Sequence, residues 1–481
     1  MIPATDYLRI LPELVLSAFG VLVMLLEPLL PAESSRKGLG ALAFVGAAGA
    51  IVSSLVMAGY PGTAFNGMVR VDGFSVFFHV VVTAIAAVVI LASFDYLHLQ
   101  NIRAGEYYAL ILFGAVGMAL MSSAIELVLV FIALEISSIA TYVLAGFRRR
   151  YATSIESSLK YFLLGSFATA FFLYGVALMF GATGSTNVYT IGAALRQGHV
   201  NTLAFIAMAL MFVGLGFKVA TAPLHVWTPD VYEGAPSPIV GLMSTGPKAA
   251  AFAVLLRILF AAAAPGWFWL VWVSAALSMC LGNLGALVQT NIKRMLAYSS
   301  IAHAGYLMVA FAAAPQIGIS AAMFYAASYA AMNVGAFIVI SHFGSTGERY
   351  VTLEDYSGLG RRSPALAMIL TVFLLSLIGI PITGGFFAKF YVFRAALGAN
   401  LIGLTIIGVI NSAIAAYYYL RVIVVMYMRE PREDMAGVPV MGIPASMGVS
   451  LAVTLVATIY LGVMPGRVLD YAVRSAQQML R

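Results

Sequence analysis

The sequence predicts an all-α polytopic membrane protein, and two observations carry that prediction. Of the 481 residues, 62% are hydrophobic and 9% are charged, whereas soluble domains carry about 25% charged residues. Windows of about 20 apolar residues, long enough to cross the hydrocarbon core of a bilayer, recur about fourteen times along the chain. This composition excludes a disordered chain, a secreted disulfide scaffold and a nucleic-acid-binding protein.

The predicted spans follow one another with short loops, and none of the loops is long enough to form a separate soluble domain. The divisions between spans four and five and between spans nine and ten rest on short polar breaks. The single cysteine, Cys280, excludes a disulfide framework and a thiolate metal site. The fourteen spans cover 10–31, 39–59, 73–97, 106–122, 124–147, 153–181, 202–223, 237–263, 267–289, 293–313, 316–343, 364–397, 400–428 and 439–463.

The distribution of Lys and Arg predicts the orientation of the chain. The odd-numbered loops hold 13 of the 26 basic residues, and the even-numbered loops with both termini hold six. Cytoplasmic loops are enriched in basic residues. We therefore expect the odd-numbered loops in the cytoplasm and both termini on the opposite side of the membrane.

Two spans are predicted to be interrupted. The seventh runs into Pro223 and a polar stretch with three more prolines, and the twelfth carries Pro381 within Gly379–Gly385. Proline breaks or kinks a helix, and irregular backbone at membrane depth is tolerated where it is buried or lines a wet cavity. Two broken helices five spans apart are typical of an internally repeated transporter, although an ordinary proline kink is the alternative for each. A faint repeat, Ser137–Ala140 and Ser299–Ala302, accompanies them.

Four of the six lysines fall within apolar spans, where each costs about 2.5–3.5 kcal/mol on insertion scales. These are Lys160, Lys218, Lys248 and Lys389, whereas Lys37 and Lys293 are assigned to loops. Lys248 is the twelfth residue of a 27-residue span, and Lys218 and Lys389 lie beside the two breaks. Lys160 is only eight residues into its span, so snorkelling or a structural ion pair competes with a functional role. Arg257 lies nearer a span end and is expected to snorkel or to lie at the interface.

One acid and two histidines complete the candidate site. Glu135 is in the middle of the fifth span, where a lone carboxylate would be protonated but a nearby lysine can keep it charged. His225 is two residues past Pro223 in the first break, and His303 lies among small residues of the tenth span. Burial lowers the pKa of a lysine and a nearby carboxylate raises it. A change in the distance between Glu135 and Lys218 could therefore gate a proton, and this is our hypothesis for the site.

Four stretches of the sequence resemble one known family. Ala222–Pro236, which contains Asp-Val-Tyr-Glu-Gly-Ala-Pro, resembles the hallmark of the antiporter-like subunits of NADH-quinone oxidoreductase (respiratory complex I), in its N-type form (subunit 2 in mitochondria). Ser244–Ala250 is also N-like, and Asn291–Tyr306 and Ile380–Lys389 are similar to segments shared across the family. Pro12-Glu13-Leu14 resembles N subunits as well. The resemblance covers essentially the whole chain.

The resemblance implies a fourteen-helix fold with two inverted five-helix repeats, in spans 4–8 and 9–13. It divides the chain into an N-terminal three-helix segment (1–105), two repeats (106–263 and 264–430) and a C-terminal helix and tail (431–481). It implies proton translocation coupled to NADH oxidation by quinone elsewhere in the complex. This chain would hold no cofactor, because NADH, FMN, iron–sulfur clusters and quinone would be bound in or between other subunits. Its partners would be other membrane subunits of complex I, especially the neighbouring antiporter-like and small ones, together with membrane lipids.

The family pattern also assigns roles. It implies that Glu135 and Lys218 form the ion pair of the input half-channel, that Lys248 is the central lysine, and that Lys389 serves the output side. His225, His303 and Lys160 match relay or conducting positions. The chain differs from the L type in having no long C-terminal lateral helix. Three alternatives stay open from the sequence: a subunit of a multisubunit cation/proton antiporter, a stand-alone solute transporter, and a structural anchor without a transport role.

Overall fold

The fold comes from a computed structural model, which describes most of the chain. A few predicted features lie outside the described residues: the end of span eight at 263, the start of span fourteen at 439, the predicted domain boundary at 263/264 and the terminal Arg481. The described residues are 3–31, 33–197, 202–262, 267–313, 315–344, 346–432 and 442–480.

The N-terminal segment contains four helices and a small hairpin. The two strands pair antiparallel, with Gly62 opposite Val71. The fourth helix begins at a capping box, in which the Asp72 carboxylate accepts from the Ser75 backbone N–H and the Ser75 hydroxyl accepts from the Asp72 backbone N–H. The elements are α1 (Ala4–Leu8), α2 (Leu11–Leu26), α3 (Lys37–Met57), β1 (Gly62–Ala64), β2 (Val69–Val71) and α4 (Gly73–Leu99).

The next seven helices include the first interrupted span. The seventh predicted span divides into a long helix that ends at Val219 and a short one that begins at Thr228, with irregular backbone between them. The helices are α5 (Glu106–Ser123), α6 (Leu127–Ala145), α7 (Ala152–Thr183), α8 (Val188–Arg196), α9 (Thr202–Val219), α10 (Thr228–Gly234) and α11 (Ser237–Ala262).

The last nine helices contain the second interruption. The twelfth predicted span divides at Gly379, which has φ +94°, and resumes at Gly384. The helices are α12 (Trp267–Leu287), α13 (Ile292–Ala312), α14 (Pro315–Phe343), α15 (Leu359–Arg362), α16 (Pro364–Ile378), α17 (Gly384–Gly398), α18 (Ile402–Met428), α19 (Ala445–Val463) and α20 (Pro465–Leu480).

The observed helices confirm the all-α membrane fold. In the described part of the chain, thirteen helices are long and apolar enough to cross a membrane. The broken pair α16 and α17 occupies the place of the twelfth predicted span. The two divisions between spans that rest on short polar breaks are also present in the structure. The helix α5 ends at Ser123 before α6 begins, and α12 ends at Leu287 before α13 begins. The chain continues beyond the fourteenth span as the helix α20, which the sequence interpretation treated only as a tail.

The helix α11 forms the centre of the bundle. All of its residues except Phe260 are buried, including Lys248 near its middle. It packs against α4, α5, α9 and α14. A charged residue at this position is therefore enclosed by protein on every side and is shielded from lipid.

The bundle has two recognisable ends. One, which we call the hairpin end, carries the β1–β2 hairpin, α8 and α20; there the Tyr189 hydroxyl donates to the carbonyl of Met479 in α20. The other, which we call the basic end, carries the loop after α6 and the loop between α14 and α15. There the side chain of Arg148 donates to the carbonyl of Gly347 at 3.2 Å.

Two basic residues are placed differently from the sequence interpretation. Lys293, assigned to a loop, is the second residue of α13, is 1% exposed and contacts Glu348 at 2.6 Å. Arg257, expected at the interface, is also 1% exposed and pairs with Asp72 at 2.8 Å. Both predictions are wrong because segments that carry an opposite charge pack over these positions. The hydropathy of the sequence does not show which distant segments will pack there.

Candidate functional site

Lys218 lies in the last turn of α9, directly before the first break. It is buried, and its ammonium donates to the Ser138 hydroxyl of α6 at 2.9 Å and more weakly to the Tyr161 hydroxyl at 3.4 Å. The ammonium also lies 5.6 Å from the centre of the Tyr161 ring and 5.9 Å from that of Tyr142. Aromatic faces attract a cation, so two helices of the first half, α6 and α7, enclose this charge with two rings and two hydroxyls.

The predicted ion pair between Glu135 and Lys218 is not a direct contact. Among the described residues, no carboxylate lies within 4.0 Å of the Lys218 ammonium, and Oε1 of Glu135 is buried without a hydrogen-bond partner. Glu135 precedes Ser138 by one helical turn on α6, and residues three apart share one helix face. Ser138 therefore lies next to the Lys218 ammonium, and the Glu135 carboxylate lies one helical turn before Ser138 on the same face of α6.

The break after Lys218 is supported by the second half of the molecule. The Thr221 hydroxyl bonds to the hydroxyls of Ser274 and Ser278, both in α12. The backbone N–H of Ala222 donates to Ser278 at 2.7 Å, and its carbonyl accepts from Ser274 at 2.8 Å. Unpaired backbone groups are costly in a membrane, so these serines explain how the chain can leave helical geometry here.

Lys248 lies in the middle of the central helix. Its ammonium donates to the Ser300 hydroxyl of α13 at 2.6 Å and lies 5.9 Å from the centre of the Tyr232 ring. A cavity of about 10 Å³, close to the smallest that holds one water, is lined by Lys248, Ser300 and His303 among others. The structure thus brings Lys248 and His303 to one small enclosed space.

His303 connects this space to a group of tyrosines. One ring nitrogen, Nδ1, lies 2.7 Å from the Tyr325 hydroxyl, and the other, Nε2, lies 3.3 Å from the Tyr419 hydroxyl. Tyr419 in turn bonds to the hydroxyl of Ser299. A hydroxyl can both donate and accept, so the imidazole and these hydroxyls form a connected hydrogen-bonded group beside Lys248.

Lys389 lies in α17, beside the second break. Its ammonium donates to the carbonyls of Leu377 and Ile378 at 3.1 and 2.8 Å and to the Ser412 hydroxyl at 2.8 Å. The last carbonyls of a helix have no partner within the helix and form the negative end of its dipole. Lys389 therefore caps the end of α16.

The approach of α17 to α16 depends on Gly385. A Cβ atom at this position would lie 1.8 Å from the carbonyl oxygen of Ser376, which no side chain could occupy. The backbone N–H of Gly385 instead donates to the Ser376 hydroxyl at 3.2 Å. The glycines after Pro381 thus allow the second half of the broken helix to pass close to the first.

Lys160 and His225 lie apart from these contacts. The Lys160 side chain is 40% exposed and pairs with Glu156 at 2.6 Å and Asp230 at 2.7 Å, which is the structural ion pair that the sequence left open. The Nδ1 atom of His225 is buried and unpaired among the described residues. No hydrogen bond joins His225 to Lys218 in that part of the chain, so the relay roles of both residues stay predictions.

The three buried lysines of the candidate site, Lys218, Lys248 and Lys389, share one kind of partner that the sequence analysis does not predict. Each ammonium donates to a serine hydroxyl. Two of these serines, Ser138 and Ser300, are the second serines of the faint repeat at 137–140 and 299–302, which was therefore an available signal. Ser412 and the tyrosines around His303 had no such signal.

The chemistry of this arrangement is suited to protons. The described residues contain no group of three or more His, Cys, Asp or Glu side chains placed to hold a metal ion. Its polar members are single titratable groups linked through hydroxyls. Such groups can hold and pass protons.

Comparison with known proteins gives consistent results. Residues 124–415 match the family model described as NADH:quinone oxidoreductase/Mrp antiporter, transmembrane. The chain is 67% identical over 488 residues to NADH-quinone oxidoreductase subunit N 2 of Koribacter versatilis, and the alignment covers 100% of this chain and 99% of that relative.

Two solved structures are similar in fold. A chain of respiratory complex I from Thermus thermophilus, solved with bound aureothin, matches with a TM-score of 0.82 at 38% identity, covering 95% of this chain and 98% of that one. A chain of the Mrp complex from Dietzia sp. matches with a TM-score of 0.86 at 20% identity, covering 100% and 98%. At that identity the second likeness shows the fold alone.

Proposed function

Because this chain belongs to the family of NADH-quinone oxidoreductase N subunits, we propose that its buried lysines carry the protons that the complex moves. The chain is a proton-translocating membrane subunit of that complex, and its partners are other membrane subunits of complex I. The oxidation of NADH and the reduction of quinone take place in other subunits. What remains to be assigned is the path of the proton through this chain.

One observation carries the proposed path. Lys218, Lys248 and Lys389 are each buried, and each donates to a serine hydroxyl at 2.6–2.9 Å. A buried ammonium without a full counter-charge is costly, so such lysines readily exchange protons with neighbouring groups. A structural anchor would have no need of three such charges.

The path begins with Glu135 and Lys218 in the first half. The half-buried carboxylate of Glu135, one turn from Ser138, is placed to change the charge balance at Lys218 when either side chain moves. His225, within the break, and Lys160, in α7, are proposed as entry or connecting positions. From the central helix α11, Lys248 passes its proton through Ser300 and the shared cavity to His303 in the second half. The hydroxyls of Tyr325 and Tyr419 then lead toward Lys389.

We also propose that 106–263 and 264–430 form two inverted repeats. Two isolated β-bridges support this, because Glu126 pairs with Asn187 in one half and Asn291 pairs with Thr352 in the other. The residues of each bridge have the same separation along the chain, and each bridge lies at the beginning of a long helix, α6 or α13. The first is near the hairpin end and the second near the basic end, as inversion requires.

The location is part of the proposal. The chain is a multi-pass membrane protein of a respiratory complex. The excess of basic residues in odd-numbered loops supports a bacterial inner membrane with the basic end in the cytoplasm and both termini in the periplasm. Membrane lipids and the neighbouring antiporter-like and small subunits are proposed to surround it. The absence of a cofactor from this chain stays a prediction.

The experiment that tests the function compares two lysine variants in the assembled complex. Lys248→Ala removes the central charge, and Lys37→Ala removes a lysine whose side chain is 50% exposed. NADH oxidation and proton uptake are measured separately in membrane vesicles, after co-purification with the NADH-oxidising subunits has been checked. We expect Lys248→Ala to lower the number of protons taken up per NADH oxidised and Lys37→Ala to leave it unchanged. An unchanged ratio in Lys248→Ala would mean that this chain carries no proton through Lys248.

A further inference from the structure

A buried carboxylate at the basic end of the bundle lies outside the proposed path. Glu348 is in the loop between α14 and α15 and is 7% exposed. Its Oε1 accepts from the Tyr96 hydroxyl at 2.8 Å and from the Ser237 backbone N–H at 2.7 Å, and its Oε2 contacts the Lys293 ammonium at 2.6 Å. Oε2 also lies 3.5 Å from the guanidinium of Arg148.

The partners of Glu348 come from distant parts of the chain. Tyr96 belongs to α4, Arg148 to the loop after α6, Ser237 is the first residue of α11, and Lys293 is the second residue of α13. The N-terminal segment and both predicted repeats therefore meet at one carboxylate. Glu348 and its four partners therefore form a junction between several segments of the chain, which we call the junction.

Further bonds extend the junction to the short helix α10. Lys293 donates to the carbonyl of Ala235 at 2.6 Å, and Arg148 donates to that of Gly234 at 3.1 Å. Gly234 is the last residue of α10, the second part of the broken seventh span. The end of the broken helix is thus held by the same two cations that bind Glu348.

The electrostatics of the junction keep Glu348 ionised. Burial alone would raise the pKa of this carboxyl, but the charges of Lys293 and Arg148 and the bonds from Lys293 and Ser237 outweigh burial and hold the pKa at about 2. Tyr107 and Tyr356 also lie within its electrostatic reach. The backbone of Glu348 has φ +49°, a region that residues other than glycine seldom adopt, so the loop is held in an unusual conformation at this position.

Resting on the function proposed above, we propose that Glu348 is a positioning residue for the central lysine. It fixes the beginning of α11 against the beginning of α13. With a rise of 1.5 Å per residue, Lys248 lies about 16 Å along α11 from Ser237, and Ser300 lies about 10 Å along α13 from Lys293. Because helices transmit displacement along their length, the register between the two helix starts determines whether the Lys248 ammonium reaches Ser300, the contact now at 2.6 Å.

The test uses the whole assembled complex with Glu348→Gln, and Glu354→Gln as its matched control. Glu354 belongs to the same loop but is exposed, so its loss should change nothing. We expect Glu348→Gln to keep NADH oxidation while the number of protons taken up per NADH falls at least twofold and the pH profile of uptake is displaced. A purely structural role would lower the amount of complex without displacing that profile.

Two further variants make the result decisive. Tyr96→Phe removes one bond to Glu348 without removing a charge, and we expect a smaller loss in the same direction; this variant answers the question if Glu348→Gln does not assemble. A Glu348→Gln, Ser300→Ala double variant should be no worse than Ser300→Ala alone. A wild-type ratio and pH profile in the assembled Glu348→Gln complex, or in Tyr96→Phe where that complex does not assemble, would overturn the positioning role, and so would additive losses in the double variant. If Lys248→Ala also kept the wild-type ratio, the proposed function itself would fail.

Discussion

Lys218 and Lys389 lie beside the two broken helices, but their surroundings differ. Lys389 donates to two helix-end carbonyls and one serine hydroxyl, all within 3.1 Å. Lys218 has one short bond, to Ser138 at 2.9 Å, and a longer one to Tyr161 at 3.4 Å. The Lys389 ammonium therefore has three short bonds, whereas the Lys218 ammonium has one short bond and one long one.

This difference in hydrogen bonding indicates that the two lysines can have different roles in proton transfer. Backbone carbonyls are fixed by the helix that carries them, so the two carbonyl partners of Lys389 cannot move away individually. Ser138 and Glu135 are side chains on one face of α6 and can exchange places near Lys218 by rotating. We infer that Lys218 is the lysine whose partners change during turnover, and that Lys389 receives protons at a site of constant geometry.

The largest expected effect separates the two lysines by stability. Lys389→Ala leaves the carbonyls of Leu377 and Ile378 buried without a donor, and an unsatisfied buried group costs about 1–3 kcal/mol. Lys218→Ala leaves Ser138 with its bond to the Leu134 carbonyl at 2.7 Å. We therefore expect Lys389→Ala to lower the thermal unfolding temperature of the purified chain clearly more than Lys218→Ala does. Equal decreases in the unfolding temperature of the two variants would contradict the proposed difference between Lys218 and Lys389.

A smaller effect is expected from removing the serine partners. Ser138→Ala takes the one short bond from Lys218, whereas Ser412→Ala leaves Lys389 with two carbonyls. A hydrogen bond to a charged group contributes about 1.5–3 kcal/mol. We expect proton uptake per NADH to fall several-fold in Ser138→Ala and less than twofold in Ser412→Ala, measured in vesicles containing the complete complex. A reversed order would contradict the assignment of Lys218 as the lysine with changing partners.

The smallest effect is expected at Lys160. Its two ion pairs are partly exposed to solvent and to screening, and exposed pairs contribute little to stability. Lys160→Gln should leave the unfolding temperature close to wild type and, because Lys160 is proposed only as an entry or connecting position, should lower the proton ratio less than Ser138→Ala does. A loss as large as that of Ser138→Ala would instead place Lys160 among the main sites of the path and would extend the first-half site toward α10.

Much of the fold could be predicted because the membrane imposes simple rules. Apolar length identified the spans, and proline identified both breaks, at Pro223 and Pro381. Charge in an apolar run identified Lys218, Lys248 and Lys389, all of which are buried in the structure. These features depend on local composition, which the sequence shows directly.

The remainder depends on contacts between distant segments. Arg257 and Lys293 were misplaced because Asp72 and Glu348 cover them from far along the chain. The resemblance implies an ion pair of Glu135 and Lys218, but in the structure Lys218 contacts Ser138. The rotation of α6 about its axis decides which side chain faces the Lys218 ammonium, and hydropathy does not encode that rotation. Glu348 itself lies in a polar loop, where an acidic residue is expected to be exposed, so the sequence does not indicate that it is buried.

The most direct test of the account is a double-variant cycle on proton uptake per NADH oxidised. The central claim is that Glu135 acts on Lys218 through the position occupied by Ser138. Glu135→Gln, Ser138→Ala and the double variant are compared in the same assembled complex, since side chains that share a partner give non-additive effects. We predict that the double variant loses no more than the worse single variant. Losses that simply add would contradict the claim and would show that Glu135 and Ser138 act on the proton independently.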